Sequence, residues 1–269
     1  MFQGTTPPEV KLLLQDIMKG VEKKDVFIGC SGNFTTDKIM SNMGYTVHSN
    51  DVSLYSKLIS DLLLDTNTDI EVVNPELRLV FDTWKDTRYK NLVQVMFAMR
   101  VSGFHQRKND YQEEMFNSFI EQADIYYHNT ISKLEKGALN FNISSFFYGD
   151  FFDFLKSKKG KGIGIAFPLT YKGGYEKMFS YVEDSFRYAH APYNVFDPKE
   201  GGVMFKCLLE NDENIIYSPD FYLRQNDIVY VEPNKAKKQS ANIGSSTNLL
   251  ISITSILISL AGLMVNILR

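Results

Sequence analysis

The sequence contains few of the residues that build cross-linked or metal-bound folds. Its 269 residues include two cysteines and four histidines. Cys30 and Cys207 cannot form a disulfide framework, and the histidines show no metal-ligand spacing, so we predict no metal site. The net charge of −3 gives no general attraction to nucleic acid. The first ten residues are polar and lack the apolar core of a signal peptide, which predicts a cytoplasmic location for residues 1–206.

Apolar residues, by contrast, are plentiful. Hydrophobic residues make up 44% of the chain and aromatic residues 13%, which is typical of a folded protein rather than a disordered one. The length allows one sizeable domain with an appended segment.

The stretch from Asp25 to Asp51 has the clearest functional pattern. Val26–Ile28 is a short β-favouring run, and a second strand is expected over residues 45–48. Gly29 and Gly32, which follow the first run, permit a tight turn and a close approach of the backbone to a ligand.

A helix over residues 37–43 is expected between the two strands, capped by Thr35 or Thr36. An acid about 20 residues after a glycine turn is how a doubly wound sheet holds the ribose of a nucleoside-containing ligand, and Asp51 has this position. A structural strand–helix–strand unit without a ligand is the alternative. For Cys30 we favour a small, adaptable side chain in the turn over a catalytic thiol.

Helical patterning continues through residues 76–136, where no strand is predicted, and we interpret this stretch as a helical insert. Arg100, His105, Arg107 and Lys108 lie within it. They either line a nucleic-acid groove or form a solvated helix end, and the balanced charge of the stretch favours the second interpretation.

Two more strands are predicted after the insert. Residues 142–148 form one, followed by Asp150, and residues 162–167 form the other, followed by a loop that begins at Pro168. Ligands of open α/β sheets bind at the carboxyl ends of the strands, so the glycine turn, Asp51, Asp150 and this loop are expected at one edge.

With these segments in place, residues 8–204 resemble the adenine-N6 DNA methyltransferases that use S-adenosylmethionine. The resemblance is greatest to the phage- and plasmid-associated branch described as antirestriction adenine methyltransferases. It implies a doubly wound, Rossmann-like α/β domain, with DNA as substrate and the insert as a target-recognition segment. The cofactor-binding residues that it implies are Gly29, Cys30, Ser31, Gly32, Asn33, Asp51 (ribose) and Asp150 (adenine).

The resemblance also implies a catalytic loop, at the place where the family carries Asp-Pro-Pro-Tyr. The matching candidates here are Phe167, Pro168 and Tyr171. In such a loop a side-chain acceptor and a backbone carbonyl bind the two protons of the adenine amino group, while the aromatic ring stacks on the base swung out of the duplex. Phe167 replaces the acidic acceptor and Tyr171 stands one place late, so an inactive, cofactor-binding relative is a competing hypothesis.

The carboxyl-terminal part has a different composition. Leu249–Leu268 is 20 residues long and uncharged, long enough to cross a bilayer, with its small and polar residues on one face and its large apolar residues on the other. This pattern predicts a membrane helix that packs against copies of itself, and a buried helix of a soluble domain is the alternative. The segments that we predict are a methyltransferase-like domain (1–206), a strand segment (207–234), a polar linker (235–248) and a hydrophobic helix (249–268).

Residues 208–269 resemble the carboxyl end of bacterial polysaccharide export proteins of the outer membrane, through the run Tyr222–Lys235. The two resemblances do not describe one coherent protein, which leads to the hypothesis of a composite chain. The leading functional prediction is a methyltransferase-like protein with an antirestriction role. The alternatives are an outer-membrane export component and a non-enzymatic nucleoside-binding module on a membrane helix.

Overall fold

The computed structural model describes residues 8–22, 24–158, 161–166, 174–195 and 215–217. All of these residues belong to one compact unit, Met1–Tyr217. Several predicted features lie outside the described residues: Phe167, Pro168, Tyr171, the linker 235–248 and the hydrophobic segment Leu249–Leu268.

A five-stranded parallel sheet forms the centre of the domain. Its strands are β1 (Asp25–Gly29), β2 (Thr46–Asp51), β4 (Ser145–Tyr148), β5 (Ile163–Ala166) and β7 (Ile215–Tyr217). Their order across the sheet is β4-β2-β1-β5-β7, and every pair is parallel. The chain begins at the central strand β1, extends the sheet to one edge through β2 and β4, and then extends it to the other edge through β5 and β7. This is the topology of doubly wound folds.

Nine helices are found among the described residues. They are α1 (Pro8–Lys19), α2 (Thr35–Asn42), α3 (Leu54–Leu64), α4 (Pro75–Phe81), α5 (Lys90–Val101), α6 (Asp110–Glu121), α7 (Ala123–Glu135), α8 (Phe151–Lys158) and α9 (Gly174–Ser185). A separate two-stranded antiparallel sheet joins β3 (Glu71–Val72) to β6 (Phe186–Arg187).

Helices cover both faces of the main sheet. Val26 and Ile28 of β1 belong to the larger apolar cluster, together with side chains of α2 and α3. Phe27, between them, belongs to a smaller cluster with Phe154 of α8 and Ala166 of β5. Because successive strand residues face opposite sides, this alternation buries the last four residues of β1, Val26 to Gly29. The predicted Rossmann-like α/β fold is confirmed.

Residues 75–135 hold four of the helices, α4 to α7, as the helical patterning predicted. Their core is aromatic: Trp84 lies with its ring centroid 4.7 Å from those of both Phe81 and Tyr127. The Trp84 indole donates to Asp124 at 3.0 Å, so the polar edge of the largest ring is paired where it is buried.

The main sheet also contains a strand that follows residue 206. Ile215–Tyr217 pairs with β5 in parallel register, although these residues were expected in the tail segment 207–234. No helix among the described residues combines the length and the apolar character needed to cross a bilayer. The predicted membrane helix, Leu249–Leu268, is not among those residues.

The connection into β5 depends on the absence of a side chain at Gly162. A Cβ atom there would lie 2.1 Å from the Asp25 carbonyl oxygen and 3.0 Å from the Phe27 ring. We therefore expect Gly162→Ala to lower the free energy of unfolding by about 2 kcal/mol or more. Urea denaturation measures the loss, with Gly103→Ala as the control, because a Cβ at Gly103 meets no described atom within 4 Å. Equal unfolding midpoints for the two variants would contradict the close approach of Gly162 to the Asp25 carbonyl group.

Candidate functional site

The strand register brings the predicted cofactor residues to one edge of the sheet. Gly29 at the end of β1 lies opposite Ala166 of β5, and Asp51 at the end of β2 lies opposite Tyr148 of β4. The turn after Gly29, Asp51 and Asp150 are thus neighbours at the carboxyl ends of the strands, as predicted. The candidate catalytic loop follows Ala166 in the sequence, but its three residues are outside the described part of the chain, so their roles stay predictions.

The turn after β1 has an unusual backbone. Cys30, Gly32 and Phe34 all have positive φ, at 59°, 54° and 58°. For the two residues with side chains, this left-handed conformation costs roughly 1–2 kcal/mol each, and such strained residues concentrate at functional sites. Among the described residues, a Cβ at Gly32 would meet only the Cys30 carbonyl oxygen, at 4.0 Å, so no described side chain covers this part of the turn. A Cβ at Gly29 would instead meet Phe151 and Ala166 at 3.5 and 3.6 Å, so the missing side chain at Gly29 serves packing.

Helix α2 starts differently from the prediction. It begins at Thr35, is preceded by Phe34 in the cap position and has no side-chain cap, so the expectation that Thr35 or Thr36 caps it was wrong. The Asn33 carboxamide oxygen accepts from the Thr35 amide at 3.3 Å and from the Thr35 hydroxyl at 2.7 Å. The side chain of Asn33, one residue before the cap position, thus accepts a hydrogen bond from an amide of the first helical turn.

The Asp51 carboxylate connects the turn to the end of β2. Its Oδ2 accepts from the Gly32 amide at 2.7 Å, and its Oδ1 accepts from the amides of Val52 and Ser53, both at 2.8 Å. Burial raises the pKa of the Asp51 carboxyl, and the backbone donors oppose that shift. A carboxylate has about four acceptor positions, so about one remains on Oδ2. With these bonds intact, the Asp51 carboxylate keeps room for about one further hydrogen-bond donor.

A buried network beneath the turn was not predicted. Asp37, in the first turn of α2, is 0% exposed. Its Oδ1 accepts from the hydroxyls of Ser31 at 3.0 Å and Ser49 at 2.5 Å. Ser31 also binds the backbone of Asn50: its amide donates to the Asn50 carbonyl at 2.8 Å, and its Oγ accepts from the Asn50 amide at 3.3 Å. One carboxylate therefore holds together the turn, helix α2 and strand β2.

Asp37 is the group in this network whose charge is most sensitive to pH. Burial raises the pKa of its carboxyl to about 7. The hydroxyls of Ser31 and Ser49 and its own backbone amide lower the pKa, and the negative charge of Asp51 raises it. Asp37 Oδ2 is buried without a hydrogen-bond partner among the described residues, which leaves part of its desolvation uncompensated.

Cys30 lies in the turn as a neutral thiol. Burial raises its pKa well above the ordinary value, and the charges of Asp51 and Asp150 raise it further. Since the nucleophile of a cysteine is its thiolate, this environment disfavours a catalytic role. It also shows that Cys30, Asp51 and Asp150 are close enough to interact electrostatically.

Asp150 and Asn50 fix the edge of the sheet next to β4. Asp150 is 7% exposed; its Oδ1 accepts from the Phe152 amide of α8 at 2.8 Å, and its Oδ2 accepts from the Asn194 amide at 3.0 Å. The Asn50 carboxamide donates to the carbonyl oxygens of Phe147 and Gly149 at 3.0 and 2.7 Å. Asp150 thus begins helix α8 and anchors the segment around Asn194; its predicted place beside the cofactor adenine stays a prediction.

Two arginines of the helical segment lie against aromatic rings. The Arg100 guanidinium lies 4.5 Å from the Phe119 ring centroid, and that of Arg107 lies 4.1 Å from Phe116. Arg107 also pairs with Glu76 at 2.5 Å, and the His105 ring stacks on Tyr181 at 4.5 Å. Two of the four residues weighed for a nucleic-acid groove therefore use their cationic faces to stabilise the helices.

The fold and site define a Rossmann-like domain with a glycine turn after its first strand and an acid at the end of its second, an arrangement typical of nucleoside-binding domains. Residues 2–219 match the family described as Phage DNA Adenine Methylase-like domain 1. The chain belongs to this family, and the predicted resemblance to adenine methyltransferases is confirmed. No curated protein and no solved structure matches the chain.

The comparisons do not support the resemblance of the tail to polysaccharide export proteins. The family match continues through residue 219, past residue 208, where that resemblance was predicted to start. Strand β7 lies in this overlap and pairs within the parallel sheet.

The titration of Asp37 leads to a test of stability. A buried carboxyl with a raised pKa binds its proton more tightly in the folded chain than in the unfolded chain. Its contribution to stability is complete below the unfolded pKa of 3.8 and is lost as the pH rises through the folded value of about 7. The full effect is about 4 kcal/mol. We expect Asp37→Asn, which keeps an acceptor for both serines, to flatten the pH dependence of the free energy of unfolding between pH 4 and pH 7.

Chemical denaturation at several pH values measures this dependence. Asp61→Asn is the matched control, because Asp61 is also buried in a helix but pairs with Lys57. An unchanged profile in Asp37→Asn would show that other carboxyls cause the pH dependence.

Proposed function

We propose that this chain binds S-adenosylmethionine at the turn Gly29–Asn33 and at Asp51, and acts on adenine in DNA. The observation that carries the proposal is the Asp51 carboxylate, which three backbone amides hold at the end of β2, beside the open face of Gly32. The residues present fit the cofactor: Asp51 retains acceptor capacity for a hydroxyl, and Gly32 leaves the turn accessible. Membership of the phage DNA adenine methylase-like family supports the same assignment.

In this proposal Gly29–Asn33 would hold the methionine part, Asp51 the ribose and Asp150 the region of the adenine. When bound, the cofactor supplies a methyl group on a positively charged sulfur. The backbone carbonyls of Phe167 and Pro168 would accept hydrogen bonds from the adenine amino group, and Tyr171 would stack on the extruded base. The roles of Phe167, Pro168 and Tyr171 come from the resemblance. DNA as the substrate and a cytoplasmic location belong to the same proposal.

We also propose an antirestriction role, because methylated adenines within recognition sites protect the DNA that carries them. The membrane and oligomer hypotheses depend on Leu249–Leu268, outside the described residues. They are supported by no observation on the described part of the chain, and they do not form part of the proposal.

The cofactor site is tested by Asp51→Ala in the full-length chain. Removing the carboxylate deletes the proposed ribose acceptor and releases the Gly32 amide. We expect S-adenosylmethionine to bind at least 1 kcal/mol more weakly, which is about fivefold in the dissociation constant. Isothermal titration calorimetry measures the affinity. Asp16→Ala is the control for net charge, since Asp16 is an exposed carboxylate that pairs with Lys19 on α1. Equal dissociation constants for the wild type and Asp51→Ala would show that Asp51 does not bind the cofactor.

Catalytic competence is tested at Phe167. A carboxylate at this position would accept a hydrogen bond from the adenine amino group and take its proton as the methyl group is transferred. We expect Phe167→Asp to raise the rate of methyl incorporation into DNA by roughly a hundredfold or more, the usual range for general acid–base catalysis. Phe167→Leu, which changes the ring but adds no acceptor, should leave the rate near that of the wild type. A wild type as fast as Phe167→Asp would show that this acceptor is unnecessary.

A further inference from the structure

The buried carboxylate of Asp37 lies directly beneath the proposed cofactor turn. Its Oδ1 is bound by Ser31, a member of the turn, and by Ser49, two residues before Asp51. No hydrogen bond within the described part of the chain reaches its Oδ2. The side chain is completely buried, so it has no solvent to stabilise a charge.

Within the described part of the chain, no cation pairs with the carboxylates at this edge. Among the ion pairs of the described residues, none includes Asp37, Asp51 or Asp150. Lys38, the next residue along α2, directs its ammonium group to the Ala138 carbonyl at 3.4 Å. A buried charge that lacks a partner is costly and favours a ligand of opposite sign.

We propose that Asp37 is a positioning residue that holds the glycine turn through Ser31 and Ser49 in its ionised form, so that binding of a sulfonium-bearing ligand releases a proton from it. This inference rests on the proposed function, because the positively charged ligand that it requires is the S-adenosylmethionine proposed to bind at the same turn. S-adenosylmethionine carries the sulfonium, whereas S-adenosylhomocysteine, its demethylated product, does not.

Protonation of Asp37 conflicts with the hydrogen bonds that hold the turn. A proton on Oδ1 would occupy an acceptor position that serves Ser31 and Ser49. A proton on Oδ2 would be a buried donor without an acceptor. The ionised form keeps the network complete, and its desolvation cost is reduced when a positive ligand arrives nearby in a medium of low dielectric constant.

The groups that face Asp37 determine the pH range in which ligand binding is coupled to proton release. The serine hydroxyls on the turn and on β2 do not titrate, and of the charged groups that the structure describes, Asp51 is the one that shifts the protonation equilibrium of Asp37. With a pKa of about 7, Asp37 is mostly protonated at pH 6 and mostly ionised at pH 8. A ligand that selects the ionised form should therefore bind about tenfold more tightly at pH 8 than at pH 6.

Calorimetric titration of the full-length chain tests the proposal at pH 6, 7 and 8, in two buffers that differ in ionisation enthalpy. For the wild type we expect the tenfold gain for S-adenosylmethionine with proton release on binding, and a smaller gain for S-adenosylhomocysteine. Asp37→Asn should bind with little pH dependence and release fewer protons. Any titration of the ligand itself is common to both proteins. Ser49→Ala removes one hydrogen bond but keeps the carboxylate, so it should retain the pH dependence.

The outcomes separate this inference from the proposed function. If Asp37→Asn keeps the pH dependence of the wild type, another group releases the proton and the inference is wrong. Equal affinity of the wild type at pH 6 and pH 8 would overturn the inference alone. If the folded chain, verified by circular dichroism, binds no S-adenosylmethionine at any pH, the cofactor proposal fails and the inference fails with it.

Discussion

The hydrogen bond between the Gly32 amide and the Asp51 carboxylate is the contact on which the candidate site depends. Parallel strands have no short connection to fix their ends, so the turn after β1 must be held by side chains or backbone of its neighbour. Here Ser31 binds Asn50 and Gly32 binds Asp51. A hydrogen bond to a charged group contributes roughly 1.5–3 kcal/mol, enough to offset the left-handed conformation of one residue. The turn keeps its shape because β2 holds it.

Burial of an aromatic ring compensates the second strained residue. Phe34 is 1% exposed, and its ring centroid lies 5.9 Å from that of Phe146 and 6.2 Å from that of Phe141. Burying such a side chain contributes about 1.5–3 kcal/mol, comparable to or larger than the conformational cost. The hydrogen bond of the Gly32 amide and the buried ring of Phe34 thus fix the turn at two points, and Asp37 lies beneath it.

The parts of this site that sequence analysis predicted are those with strong local signals. The run Val26–Ile28 and the acid after the second strand identified the turn and Asp51, because strand and turn chemistry are local. Asp37 was missed, since it stands in a helix of eight residues, too short for apolar periodicity to reveal its inner face. The left-handed Cys30 and Phe34 were missed because neither residue type favours that conformation, which tertiary contacts impose. The strand β7 was assigned to the tail because its partner, β5, is about 50 residues away in the sequence and nothing local reveals that pairing.

The position of β7 at the edge of the sheet has a consequence for the solubility of shortened chains. Strand β5 is buried throughout, with Ile165 and Ala166 at 0% exposure, and it is covered on one side by β1 and on the other by β7. Without residues 215–217, β5 would become the edge strand, with unpaired backbone N–H and C=O groups beside its buried apolar side chains. Such an edge pairs readily with the same edge of another copy. We therefore expect a chain that ends before residue 215 to self-associate more readily than one that includes β7, although β7 follows all the residues that we assign to the cofactor site.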